Sequence, residues 1–115
     1  MPVRLLTSRV LKWPERSAVL AAAHDWAVSL YASDSNVIRV GCFGSYARGD
    51  AGVGSDLDLV VIVRERPNRI PDASRLPVPA DVLVFDLREW DALQSGGTRL
   101  AGTLAAEAHW FPRDA

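Results

Sequence analysis

Gly44-Ser45-Tyr46-Ala47-Arg48-Gly49-Asp50-Ala51-Gly52-Val53-Gly54-Ser55-Asp56-Leu57-Asp58-Leu59 joins two apolar runs of a 115-residue chain, and its reading decides the rest. The run before it, Val37 to Phe43, is β-branched and aromatic and predicts a strand that stops at Gly44. Gly44 and Ser45 then stand where a strand gives way to a short helical turn. Backbone N–H groups point outward at such a turn, and a missing Cβ lets an anion come close. After ten intervening residues Asp56 and Asp58 open a second strand, Leu57 to Arg64. The period of two puts both carboxylates on one face, with Leu57 turned into the core. Carboxylates that close repel, and a proton or a hard divalent cation, magnesium or manganese, relieves the charge. Ions held there would bridge a triphosphate and steady an in-line displacement.

The second strand is unbroken in apolar residues from Leu59 to Val63, the pattern of a central strand covered on both faces. Upstream, Val19, Ala23, Trp26 and Leu30 recur at steps of three and four, predicting an amphipathic helix from Pro14 to Ser33 with Pro14 in its first turn. Downstream, arginines and four prolines between Arg64 and Pro79 predict an exposed connection. Ala80 to Phe85 reads as a third strand, and Asp86 with Glu89 as a capping box opening a helix to about Ser95. Gly96-Gly97 breaks it. A further helix from Thr98 to Glu107 and a short edge strand at His109-Trp110-Phe111 complete an α+β chain, a small mixed β-sheet packed against helices. Asp81, at the start of the third strand, lies beside Asp58 if those strands are neighbours. Asp81 is therefore assigned to the site and Asp86 to structure.

Composition narrows the function. At 115 residues and 49% hydrophobic content, residues 1–115 are expected to form one domain that buries roughly two-thirds of its unfolded surface. Thirteen basic and fourteen acidic residues nearly cancel, so no overall field draws the chain to nucleic acid or to an anionic membrane. Twelve of the basic residues are arginine and the other is Lys12, so any phosphate-binding cation in the interior of the sequence is a guanidinium, and a P-loop is excluded. A lone Cys42 forms no internal disulfide, and the Cys and His residues lack zinc-site spacing. With no apolar run of membrane-spanning length and no leader pattern in Met1 to Lys12, the expectation is a soluble cytoplasmic protein.

Gly44-Ser45, a spacer of this length and Asp56-Leu57-Asp58 resemble the signature of the minimal nucleotidyltransferase family, within the DNA polymerase β-like superfamily. Gly-Ser-Tyr-Ala-Arg-Gly and Ser-Asp-Leu-Asp-Leu extend the resemblance locally, and it covers residues 14–111. It implies that Asp56 and Asp58 bind two magnesium ions (manganese as a substitute), that Asp81 assists them and accepts the acceptor's proton, and that Gly44 and Ser45 contact the triphosphate of ATP. It also implies a partner. Genes of this family commonly sit beside a HEPN ribonuclease toxin, and the nucleotidyltransferase acts as antitoxin by adenylylating a toxin tyrosine. Two other readings stay open: a catalytically decayed domain that neutralises its partner by binding, and a transferase for small molecules of the aminoglycoside type, for which so short a chain encloses little pocket.

Other residues keep two readings. Arg48 either clamps the triphosphate or pairs with Asp50 or Asp56. Tyr46 reads as a surface residue of the turn, ahead of a base-stacking role. His24 and His109 fall outside the aspartate cluster, Trp26 reads as core, and Trp13, Trp90 and Trp110 are candidates for an exposed apolar patch. Base preference and oligomeric state leave no short motif.

Overall fold

The computed structural model describes residues 13–67 and 69–114. Helix α1, Arg16–Ser33, is followed by β1, Val37–Phe43; α2, Ser45–Arg48; β2, Leu57–Val63; β3, Ala80–Asp86; α3, Leu87–Ser95; α4, Arg99–Glu107; and β4, His109–Phe111. Helix α1 opens two residues after Pro14 rather than around it, with Glu15 extended as N-cap. The strands form one mixed sheet in the order β3-β2-β1-β4. β1 pairs antiparallel with β2 and β4, while β2 and β3 run parallel.

The continuous apolar run of β2 has the covering it calls for. Leu57, Leu59, Val61 and Val63 pack with Val19, Ala23 and Ala27 of α1 on one face, and Val60 and Ile62 with Trp90 of α3 and Leu104 of α4 on the other. Small residues on α1 let its axis come close to the sheet. Cys42 is sealed in the α1 layer, and its burial pushes the thiol up to about 11 against the pull of Arg16, so it stays protonated and inert. Tyr31 ties helix to sheet, its hydroxyl accepting from Val40 N at 2.8 Å and donating to Phe111 O at 3.0 Å.

The connection from Arg64 to Pro79 has no helix or strand among its described residues and is mostly exposed, as expected, with a few side chains tied down. Val78 is buried, Leu76 and Ala73 pack against the α1 layer, and Trp26 donates its indole N–H to Asp72 O at 2.8 Å. Trp26 is thus half-buried at the core's margin. The expected tryptophan patch is also absent among the described residues: Trp90 is buried edge-on to Trp110, and Trp110 is covered by the Arg39 guanidinium at 3.8 Å. Among the described residues the large apolar side chains left exposed are Val53, Ile70 and Leu87. No helix among the described residues is long and apolar enough to cross a membrane.

Candidate active site

The bend at Gly44 is set by backbone geometry that only glycine adopts cheaply. Its φ of 77° lies in the left-handed half of the map, and a Cβ built there would collide with the Asp58 carboxylate. Asp58 therefore packs against the bend through the space a side chain would fill. β1 and β2 bring them together, since Phe43, the residue before Gly44, is paired with Asp58. Ser45 opens α2, whose single turn is closed by Arg48 N to Gly44 O at 2.9 Å and by Gly49 N to Ser45 O at 2.9 Å, Gly49 being left-handed. The earliest N–H groups of such a turn have no acceptor within it.

Two anchors brace the bend from behind. Tyr46 is buried, not on the surface as the turn position predicts, and its hydroxyl accepts from Trp13 Nε1 at 3.2 Å. Arg16 Nε donates to Tyr46 O at 2.8 Å. Neither partner is visible in local sequence, because Trp13 and Arg16 lie 33 and 30 residues away from Tyr46.

The parallel pairing of β2 and β3 sets Asp58 opposite Asp81, and Leu57 N donates to Pro79 O at 2.9 Å where the ladder starts. Paired residues share a face, so both carboxyls project on the side of Val60 and Ile62. Asp56 precedes the strand and is exposed, as is Asp81, while Asp58 is half-buried. The Asp58 carboxyl is held above the usual carboxylate range, first by burial, then by repulsion from Asp81 and Asp56, with Arg48 easing it. Asp58 is thus within electrostatic reach of both other acids. Their side chains are not drawn into a ready cage, for among the described residues no group of three acidic, His or Cys side chains stands gathered to hold an ion. The donor chemistry fits a hard divalent cation.

Arg48 takes its pairing role with one expected partner and one unexpected. It bonds Asp50 at 3.1 Å and, from 59 residues away, Glu107 at the end of α4 at 3.0 Å; Asp56 is not a partner. Both pairs are solvent-exposed and worth little on their own, so the guanidinium is free to change partners. His24 and His109 lie beside Phe111, apart from the acids. A cavity of about 320 Å³ between α3, α4 and Trp110 is lined by none of the three aspartates.

A glycine bend facing paired aspartates on a mixed sheet defines a class. The sequence profile of the nucleotidyltransferase domain matches residues 28–100, and the chain belongs to that family. It is similar to a candidate protein adenylyltransferase of Methanocaldococcus jannaschii, 42% identical over 52 residues, which are 40% of this chain and 52% of that protein. The chain thus spans about half the length of this curated relative. A crystal structure of a candidate nucleotidyltransferase from Sulfolobus solfataricus matches with a TM-score of 0.52 and 28% identity, over 66% of this chain and 74% of its own.

Proposed function

We propose that the chain transfers AMP from ATP to a protein hydroxyl, and that the acceptor is a tyrosine of a HEPN ribonuclease toxin which the modification silences. The reading is carried by one observation: Asp58 lies in register with Asp81 and against the Gly44 bend, so two of the acids and the glycine bend share one end of the sheet. The protein acceptor is supported by the name of the archaeal relative, and the HEPN partner by the resemblance of the motif.

Asp56, Asp58 and Asp81 would hold magnesium, or manganese in its place. Two such ions, when bound, neutralise the triphosphate and stabilise charge at the transferred phosphorus. The chain's own residues do the remainder. N–H groups at Gly44 and Ser45 hold phosphate oxygens, and the Ser45 hydroxyl donates to one more. The acceptor oxygen bonds to the α-phosphorus, the bond from that phosphorus to the pyrophosphate oxygen breaks, and the hydroxyl proton passes to the Asp81 carboxylate. Arg48, released from its surface pairs, would meet the departing negative charge.

Incubating the purified chain with α-labelled ATP, magnesium and the HEPN protein encoded next to it is expected to label that protein. Asp58→Asn should reduce labelling by about a hundredfold or more, the scale on which lost charge stabilisation acts. Labelling no better than Asp58→Asn rejects transfer. Toxin neutralised equally by wild type and by the Asp56→Asn, Asp58→Asn double variant identifies a binder instead.

A further inference from the structure

Among the described residues β3 has a neighbour on one side only, β2, so it is an edge of the sheet they form. In a parallel ladder alternate residues turn both backbone groups the same way, and Leu57 N bonding to Pro79 O fixes the phase. Asp81, Leu83 and Phe85 direct N–H and C=O toward β2. Ala80, Val82, Val84 and Asp86 direct theirs outward.

The far end of that outer edge is already closed. Arg66 donates to Val84 O at 2.8 Å, and Glu89 accepts from Asp86 N at 3.0 Å. Arg66 and Glu89 also pair with each other. What stays open is the stretch around Asp81: among the described residues nothing bonds to the outward N–H and C=O of Ala80 and Val82, or to the N–H of Val84. That stretch does not lie flat against the Arg64–Pro79 connection. Between them runs a cleft of about 830 Å³, walled by Ile70, Pro71 and Leu76 on one side and by Ala80, Asp81 and Val82 on the other.

We infer that this open stretch of the β3 edge docks the acceptor, an extended polypeptide segment that adds as a fifth strand and so presents its hydroxyl side chain beside Asp81. The inference rests on the transfer reading above and names how its acceptor is held. A row of three donors alternating with two acceptors at strand spacing is matched by extended backbone and by little else. Neighbouring strands lie about 4.8 Å apart, so a residue in register with Asp81 and on its face brings a side chain next to that carboxyl. The closed far end limits how far along β3 the segment can pair, which fixes which of its residues reaches the site. Recognition through backbone also leaves the flanking sequence loosely read.

The test uses a pool of synthetic nonapeptides with a fixed central tyrosine and randomised flanks, a second pool N-methylated at alternate amides, and N-acetyltyrosine amide. With labelled ATP and magnesium, the plain pool is expected to be labelled at least tenfold faster than either comparator at equal tyrosine concentration. In amide NMR spectra it shifts Ala80, Val82 and Val84, which the methylated pool leaves unmoved. Val82→Pro, which removes one outward N–H, should abolish the plain pool's advantage, with circular dichroism reporting the fold. Equal labelling of all three acceptors overturns the edge and leaves nucleotidyl transfer standing. No labelling of any acceptor, with the NMR shifts still present, rejects transfer and keeps the edge as a peptide site; absent shifts reject the edge. A dimer that Val82→Pro converts to monomer assigns the edge to a second copy and overturns the inference.

Discussion

At Gly44 the backbone and the acid cluster compete for the same volume. Replacing it with Ala imposes a strained φ and pushes a methyl into Asp58, so Gly44→Ala is expected to lose about 1–3 kcal/mol in urea denaturation and most transfer activity together. Asp58 carries a second signature. Because burial and its acidic neighbours hold its carboxyl above the ordinary 3.8, the folded state binds that proton more tightly than the unfolded one. The stability this contributes is complete below pH 3.8 and is lost as pH rises through the folded value. Metal-free Asp58→Asn should therefore outlast wild type in urea at pH 7, and the gap should close below pH 3.8; a gap that persists in acid contradicts the assignment. The glycine of the bend was legible in the sequence, since the end of a β-branched run is a local signal. The site of Tyr46 was not: a turn position predicts exposure, and only the meeting of Trp13, Arg16 and the bend buries it.

Among the elements, α3 is the one whose start is written most fully. Asp86 Oδ1 accepts from Glu89 N at 2.8 Å while Glu89 Oε1 accepts from Asp86 N at 3.0 Å, and the bonded Glu89 carboxyl is held below its usual range. Asp86→Ala should cost about 1 kcal/mol of unfolding free energy by denaturant titration, with nucleotide affinity unchanged. Loss of nucleotide binding would move Asp86 into the site and weaken the choice of Asp81. The strands β1 and β4 have the bounds their residues predict, and β2 and β3 differ by one residue, because β-branched runs and their breakers are short-range signals. The Arg64–Pro79 connection is largely exposed, as its composition predicts, but prolines forbid a ladder without forbidding burial, and Val78 with the Trp26 bond to Asp72 ties it to the α1 layer.

For the whole molecule, a cation that binds only the folded cluster must raise its stability. Magnesium with a non-hydrolysable ATP analogue, at about a hundred times the dissociation constant, should add about 2.7 kcal/mol and several degrees of melting temperature to wild type, and far less to Asp58→Asn. Calorimetric scans of chelator-treated protein check this, and equal shifts in both proteins would remove the metal from the aspartates. The sequence by itself determined the α+β class, a central β2 and a glycine bend, because each depends on spacing within one element or one turn. Only the tertiary structure decided that Asp81 is in register with Asp58, that Arg48 reaches Glu107, and that part of the β3 edge stays open beside the acids. Those outcomes depend on which strands become neighbours and how chain ends return to them. Periodicity along a segment says which side of it is apolar, and carries nothing about what will stand opposite.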